Sequence, residues 1–276
     1  MLAEARATTN RVARTFSIAC RLLPRELRDD VYLLYLVFRT LDDLVDDGRP
    51  EASARIAAVE AWCDGAPAST TETRILADLD RRHALPRDAV ADFCRGMRDD
   101  LDHVPLRTEA DVDRYCYRVA GTVGVVMAAV LGTTGDPARA RRAAAALGMA
   151  MQRTNILRDI DEDGGNGRCY VAAESVGRFG SIQPGRREAL LRDQIARADA
   201  LYDEGIAGIG LLRCGGRAIA AAAAMYREIL RQIERDGYGR RPGRAVVSRR
   251  RKLVIAARRA AVRRRAVSAR PAASPR

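Results

Sequence analysis

Apolar residues recur every three to four positions along most of the chain, and turn-forming residues separate the periodic segments. This spacing places the apolar side chains on one helical face, so it predicts α-helices rather than strands. Alternation with a period of two residues is scarce, and no internal repeat is visible. The sequence therefore predicts a single all-α domain with helices over residues 25–47, 51–65, 71–85, 87–103, 109–132, 138–162, 186–210 and 216–236.

Composition narrows the class of protein. With 276 residues the chain is long enough for one large domain with a substantial core. It has no uncharged apolar run long enough to span a membrane. Glu4 and Arg6 follow Met1 closely, which is unlike a signal peptide. The six cysteines form no CxxC pair, so we expect buried free thiols in a reducing cytoplasm at Cys20, Cys63, Cys94, Cys116, Cys169 and Cys214.

The formal net charge is +12, and much of the excess lies beyond residue 240 in an arginine-rich segment. Such a segment suggests nucleic-acid binding. The chain carries no helix-turn-helix, zinc-finger or aromatic stacking signature, so no nucleic-acid partner is expected. Peripheral contact with anionic lipid through the basic C-terminus is an alternative for an otherwise cytoplasmic protein. Residues 269–276 are predicted to be a flexible basic tail.

Two acidic clusters stand out because they concentrate like charges on apolar helices. Asp42 and Asp46 are four positions apart, and so are Asp159 and Asp163. This spacing places both carboxylates of each pair on one helical face. Like charges at this spacing repel each other unless a cation lies between them.

The second row continues through Gln152 and Asn155, and apolar residues flank it. This pattern predicts a polar row that faces a cavity rather than solvent. Oxygen ligands without histidine or thiolate beside them favour hard cations, above all Mg²⁺, with Mn²⁺ as the alternative. Two such rows on facing helices would hold several Mg²⁺ ions, and these ions would bind an anionic substrate such as a diphosphate.

Either cluster alone is more typical of a solvated helix end than of a metal site. Acidic side chains near a helix C-terminus are mildly unfavourable with the helix dipole, which weakens that interpretation. An EF-hand beginning at Asp159 fails because the twelfth position of the loop is Tyr170 rather than glutamate. Two rows on separate apolar helices therefore favour the metal site.

Five segments carry a resemblance to a known family: "RTFSIACRLLP" (14–24), "YLVFRTLDDLVDD" (35–47), "YCYRVAGTVG" (115–124), "MQRTNILRDIDEDGGNGRCY" (151–170) and "AMYREILRQIERDGY" (224–238). Through their order and spacing, residues 10–255 resemble the phytoene/squalene synthase family of head-to-head isoprenyl diphosphate synthases. The resemblance implies the class I isoprenoid synthase fold, with one helical domain (residues 1–268) around a central active-site cavity. It also implies a Mg²⁺-dependent prenyltransferase that joins two prenyl diphosphates at C1 through a cyclopropyl intermediate.

The resemblance also implies roles for individual residues. The implied metal ligands are Asp42, Asp43, Asp46, Asn155, Asp159 and Asp163. The resemblance implies catalytic roles for the four paired aspartates together with Tyr115 and Tyr226. Substrate binding is implied for Phe16, Arg39, Gln152, Asn155, Arg158, Arg168, Tyr170, Arg244 and Lys252.

Two glycines have more than one possible role, and a few positions depart from the usual family pattern. Gly121 and Gly124 make room either for prenyl chains or for helix packing. Thr15 stands where the family usually has serine, and Arg153 stands where an apolar residue is usual. After Tyr170 the chain reads "VAAE" instead of the common "LPxE". These departures leave the aspartates intact and bear on substrate and product more than on the reaction.

Among products, "VAGTVG" is closest to the phytoene and dehydrosqualene branch, so condensation of two geranylgeranyl diphosphates to phytoene is favoured. The alternative uses two farnesyl diphosphates and gives squalene, dehydrosqualene or presqualene diphosphate, with NADPH needed only for squalene. A terpene cyclase is disfavoured because aromatic residues are only 5% of the chain. An inactive homologue that serves as a subunit or scaffold would be indicated by a lost aspartate, and all four are present.

Overall fold

The computed structural model describes residues 2–12, 14–248, 250, 251, 254 and 255. In this part of the chain no strand occurs, and one isolated antiparallel bridge joins Thr133 to Leu212. The prediction of an all-α domain is confirmed. The helices are α1 (Leu2–Val12), α2 (Arg14–Cys20), α3 (Arg25–Asp46), α4 (Ala52–Cys63), α5 (Thr71–His83), α6 (Arg87–Leu101), α7 (Glu109–Cys116), α8 (Thr122–Leu131), α9 (Pro137–Gly165), α10 (Ala173–Phe179), α11 (Glu188–Ala207) and α12 (Gly216–Arg235).

The structure divides the helix predicted over residues 109–132 and adds three helices, α1, α2 and α10. A π-helical turn, Tyr117–Gly121, joins α7 to α8. Residues nine positions apart point to opposite sides of a straight α-helix, and a wider turn reduces that angle. Tyr115, before this turn, and Gly124, after it, line the same cavity. The helices α2 and α10 have seven residues each, too few to show a helical period in the sequence.

The core consists of two large apolar clusters with the long helix α9 beside both. Helices α3 to α6 and α8 contribute one cluster, which includes the fully buried Leu34 and Leu76. Helices α9, α11 and α12 build the other around Tyr202 and Leu230. Because α9 packs against α7, α8, α11 and α12, its position determines where its polar residues point.

None of the described helices is long and apolar enough to cross a membrane. All six cysteines are free thiols, as predicted. Cys20, Cys94 and Cys116 are buried, whereas Cys63 and Cys214 are half-buried. Cys169 is exposed, contrary to the prediction, because it lies in the loop after α9 rather than in a helix.

A buried polar network fastens α9 to α7 and α11. The side chain of Arg153 is only 3% exposed. Its Nη2 lies 2.9 Å from Glu109 Oε2 and 2.7 Å from Asp113 Oδ1, and its Nη1 donates to Gln194 Oε1 at 2.9 Å. Ser175 also donates to Glu109. A buried guanidinium is tolerable when it is paired and hydrogen-bonded in this way. This network explains how the fold accommodates arginine at position 153, where the family usually has an apolar residue.

We expect Arg153→Met to lower the free energy of unfolding by about 3 kcal/mol, because the buried Glu109 would keep only the more distant Arg197, 3.8 Å away, as a cation. Chemical denaturation with urea measures the loss. The control is Arg6→Met, which breaks the more exposed pair between Arg6 and Asp29 and should cost at most about 1 kcal/mol. Equal losses for the two variants would contradict the importance of the buried network.

Candidate active site

A cavity of about 620 Å³ lies between the two apolar clusters. Most of its wall is apolar and includes Phe38, Phe93, Val119, Val123, Met127, Leu131, Leu147, Met151 and Ile219. Its polar lining consists of Tyr35, Arg39, Asp42, Tyr115, Gln152, Asn155, Arg158, Tyr226 and Arg244. The fold therefore brings residues of both predicted motifs to one cavity that is otherwise apolar.

The first acidic row lies at the C-terminal end of α3, and arginines hold it. Arg39 Nη1 is 2.7 Å from Asp42 Oδ2, and its other terminal nitrogen binds Asp43. Arg168 Nη1 reaches Asp46 Oδ1 at 2.7 Å from the loop after α9. The pKa of Asp42 is raised to about 7, chiefly by burial and also by the charge of Asp46, while Arg39 opposes the shift. Guanidinium groups are thus the cations that lie among these like charges.

The second row lies on α9 and is held in the same manner. Arg158 donates to both carboxylate oxygens of Asp159, at 2.9 and 2.5 Å, and Arg244 Nε lies 2.8 Å from Asp159 Oδ1. The pKa of Asp163 is raised to about 6, chiefly by burial and also by the charges of Asp159 and Asp46. Arg168, which binds Asp46 of α3, also donates its backbone N–H to the carbonyl oxygen of Asp163 at 2.8 Å, so this one residue links the ends of the two rows.

The amides of the second row complete its polar face. Asn155 Nδ2 donates to Gln152 Oε1 at 3.2 Å. Asn155 Oδ1 is buried and has no hydrogen-bond partner within the described part of the chain. A buried oxygen without a partner is costly, so this atom has an unfilled capacity for a donor or a cation.

Among the residues that the structure describes, no three aspartate, glutamate, histidine or cysteine side chains converge as a metal-binding group. Instead, guanidinium groups contact both rows, through Arg39 and Arg168 at one and Arg158 and Arg244 at the other. Of the predicted metal ligands, Asp42 and Asn155 line the cavity, and arginines that contact both rows include the cavity-lining Arg39, Arg158 and Arg244.

Asp100 on α6 belongs to the site although the sequence analysis did not select it. Tyr115 and Tyr170 donate their hydroxyl groups to its two oxygens, at 3.3 and 3.2 Å. Their rings stack with centroids 5.1 Å apart. The pKa of Asp100 is raised to about 6, because the effect of burial exceeds the opposing effect of the hydrogen bonds from the two phenols. A signal was present in the sequence, because helical spacing places Asp100 on the same face as the buried Phe93 and Met97.

Two predicted substrate-binding residues lie outside this geometry. Phe16 is part of α2, but its side chain is not among those that the structure describes. Lys252 lies outside the described residues. The loop after α9 carries Arg168 and Tyr170 to the first row and to Asp100, respectively, and Tyr226 reaches the cavity from α12.

The pattern of squalene/phytoene synthases matches residues 9–251. The chain belongs to the squalene/phytoene synthase family. It is 41% identical over 236 residues to a phytoene synthase of Thermus thermophilus, covering 81% of this chain and 80% of that protein. A 15-cis-phytoene synthase of Synechococcus elongatus is 33% identical, with 91% and 89% covered. Family membership confirms the predicted prenyltransferase class.

Solved structures show the same fold. A dehydrosqualene synthase in complex with a ligand superposes with a TM-score of 0.86 and 28% identity, covering 96% of each chain. A squalene synthase from Alicyclobacillus acidocaldarius gives a TM-score of 0.76 at 27% identity and covers 86% of this chain and 94% of its own. These similarities confirm the isoprenoid synthase fold that the resemblance implied.

Of the two interpretations of Gly121 and Gly124, the structure of this synthase favours helix packing. A Cβ atom on Gly124 would lie 2.3 Å from the carbonyl oxygen of Ala144 on α9. A Cβ atom on Gly121 would approach Ala145 O to 3.3 Å. Gly124 also lines the cavity. The glycines let α8 lie directly against the backbone of α9, and this close approach sets the shape of the cavity between them.

Gly124→Ala should therefore lower the free energy of unfolding by about 1–3 kcal/mol, because backbone atoms must move to admit the methyl group. Thermal and urea unfolding would measure the change. Gly177→Ala on α10 is the matched control, since nothing lies within 4 Å of its added Cβ and its φ is not positive. The control should be neutral or stabilising by up to about 1 kcal/mol through helix propensity. A harmless Gly124→Ala would contradict the packing interpretation.

Proposed function

We propose that this chain joins two molecules of geranylgeranyl diphosphate head to head, through a cyclopropyl intermediate, and produces phytoene with release of diphosphate. The observation that carries the proposal is the pair of acidic rows, interleaved with arginines, beside a deep apolar cavity. Such a site suits substrates with an anionic head and a long hydrocarbon chain. The identity to proteins named phytoene synthase supports the product.

We further propose that Mg²⁺ serves the reaction, with Mn²⁺ as a substitute. The donor set fits a hard cation because the rows offer carboxylate and amide oxygens, and Asn155 Oδ1 is buried without a partner among the described residues. When bound, Mg²⁺ would stabilise the charge that develops on the leaving diphosphate. The proposed holders are Asp42, Asp43, Asp46, Asn155, Asp159 and Asp163.

The arginines of both rows are proposed to bind the diphosphates. Arg39, Arg158, Arg168 and Arg244 already form ion pairs at the site, and a guanidinium binds phosphate oxygens with the same fork of donors that it offers a carboxylate. An arriving diphosphate can therefore take over donors that now bind aspartates. Lys252 is proposed to contribute a further positive charge.

The remaining residues of the site would orient the substrates and shield the cations. Asp100 fixes the hydroxyl groups of Tyr115 and Tyr170, and Tyr226 lines the cavity from α12. Gln152 is proposed to orient a diphosphate, and Phe16 to contact a hydrocarbon chain. The apolar wall excludes water, which would otherwise quench a carbocation. Contact of the basic C-terminus with anionic lipid is proposed as a route by which these lipid-like substrates arrive.

A second candidate is the condensation of two farnesyl diphosphates to dehydrosqualene, squalene or presqualene diphosphate. The specific observation in its favour is the TM-score of 0.86 to a dehydrosqualene synthase. The two candidates share the site and differ in the length of hydrocarbon that the cavity accepts.

Purified protein should convert geranylgeranyl diphosphate to phytoene without NADPH, and EDTA should abolish turnover until Mg²⁺ or Mn²⁺ is restored. Chromatography with mass detection identifies the hydrocarbon. Parallel incubations with farnesyl diphosphate, with and without NADPH, provide the comparison. Preference for farnesyl diphosphate would establish the second candidate instead, and full turnover in EDTA would refute the metal.

We expect Asp46→Asn and Asp159→Asn each to reduce kcat at least about a hundredfold, roughly 3 kcal/mol in the barrier, because a preorganised charge is lost. Steady-state kinetics measure the loss, and circular dichroism verifies the fold. The control is Asp47→Asn, an adjacent acid whose side chain is 64% exposed and whose nearest cation, Arg49, is 3.8 Å away. If all three variants behaved alike, the aspartate rows would not be the site. A wild-type protein without turnover would instead favour an inactive subunit.

A further inference from the structure

Asp161 lies between the two aspartates of the second row in the sequence, but its side chain binds residues on another side of the helix. Two positions along a helix turn a side chain by about 200°, so Asp161 projects from the other side of α9. Its oxygens bind the terminal nitrogens of Arg187 at 2.6 and 2.7 Å. Arg187 lies immediately before α11, and only 2% of its side chain is exposed. The backbone N–H of Gly243 also donates to Asp161 Oδ2, at 2.8 Å.

Gly243 belongs to residues 237–247, a segment after α12 that we call the strap. The strap is attached on both sides of Gly243. Gly239 lies against Arg187 so closely that a Cβ would be 2.2 Å from Nε, and its carbonyl oxygen accepts from the N–H of Gly185 at 3.1 Å. Further along, Val247 is buried in the apolar cluster of α9, α11 and α12. Tyr238 also accepts a hydrogen bond from Arg192 at 2.9 Å, and Ala245 packs against the same cluster as Val247. The pair Asp161–Arg187 therefore fixes the middle of a segment whose two ends are packed on the protein.

The residue after Gly243 is Arg244, whose Nε lies 2.8 Å from Asp159 Oδ1 and whose side chain lines the cavity. The Arg244 side chain is 49% exposed, so burial does not hold it in place. The position of its guanidinium group therefore depends on the position of its backbone. The preceding residue, Gly243, is held by its hydrogen bond to Asp161. Two acids of α9 therefore act on this segment: Asp159 binds the side chain of Arg244, and Asp161 binds the backbone N–H of Gly243.

We propose that Asp161 and Arg187 are positioning residues for Arg244. The pair holds the strap so that the guanidinium of Arg244 meets the second acidic row. This inference rests on the proposed function in one respect, namely that Arg244 binds a substrate diphosphate. Asp161 and Arg187 themselves touch neither substrate nor metal in this scheme.

A double-mutant cycle tests the proposal. Asp161→Asn should lower kcat/KM about tenfold, because a loosened strap presents Arg244 poorly. Arg244→Gln should lower kcat/KM at least as much. Combined with Arg244→Gln, Asp161→Asn should cost less than about twofold more, since the residue that it positions is already lost. A purely structural role for Asp161 would instead give losses that multiply, and that result would overturn the proposal.

Hydrogen–deuterium exchange of residues 237–247 reports on the strap without any substrate. Exchange should accelerate in Asp161→Asn, alone and in the double variant, and should stay near the wild-type rate in Arg244→Gln. Unchanged exchange in Asp161→Asn would overturn the attachment. If Asp161→Asn does not fold, Arg187→Lys replaces it in the cycle, because lysine keeps the charge and loses the two-pronged contact.

Asp80→Asn provides a matched control. Asp80 also binds an arginine, Arg87, and also accepts a backbone N–H, from Leu85, and its side chain is 21% exposed like that of Asp161. It lies on α5, away from the strap. The control should lower Tm and leave kcat/KM unchanged; an equal loss of kcat/KM would overturn the assignment. If Arg244→Gln retained full kcat/KM, Arg244 would not bind the substrate diphosphate, and that part of the proposed function would be refuted. If the losses of the two single variants multiplied in the double variant, only the positioning role of Asp161 would be refuted.

Discussion

The structure depends on neutralising carboxylates that are crowded beside an apolar cavity. Asp42 and Asp163 are both buried enough to acquire raised pKa values, and each has a like charge near it. Without counter-charges such an arrangement would be unstable. The fold supplies guanidinium groups from three places: the helices themselves, the loop after α9, and the strap. The surrounding helices are arranged so that these cations can reach the rows.

Helix α9 contributes residues to the acidic site, to the buried network and to the contact with α8. Gln152 and Asn155 of the second row line the cavity, whereas Arg153 forms hydrogen bonds with Glu109 and Gln194. Its small residues allow α8 to approach closely. Asp161 holds the strap. A displacement of α9 would therefore disturb the metal-binding candidates, the cavity wall and Arg244 together.

The sequence predicted the helical class and the boundaries of the long helices, because their apolar period extends over many turns. It did not predict the short helices α2 and α10, nor the wide turn between α7 and α8. A π-helical turn is rare and interrupts an apolar period that continues on both sides of it, so the sequence did not show where the helix would be divided. Cys169 was misplaced for a related reason, since a thiol in a loop has no periodic pattern to show its exposure.

For the site, motif spacing predicted which aspartates share a face, and the resemblance supplied arginines and tyrosines that the structure brings to the same cavity. Asp100 was missed because its acidic neighbours Asp99 and Asp102 make the segment look like an exposed helix end. Asp161 illustrates the opposite difficulty. Within the sequence it is one more acid in a run, and only the tertiary fold shows that its partners are Arg187 and a backbone amide.

The arginine–aspartate pairs also have a thermodynamic consequence. A guanidinium that binds an aspartate cannot offer the same donors to a phosphate, and an aspartate so engaged is a poorer ligand for a cation. A cation that displaces Arg39 from Asp42 would leave that guanidinium available for an anion, and an anion that attracts Arg39 would expose Asp42 to a cation. The two binding equilibria are therefore linked, and linkage is reciprocal. Such a site would bind a cation and an anion together more favourably than either one alone, so the two would bind cooperatively.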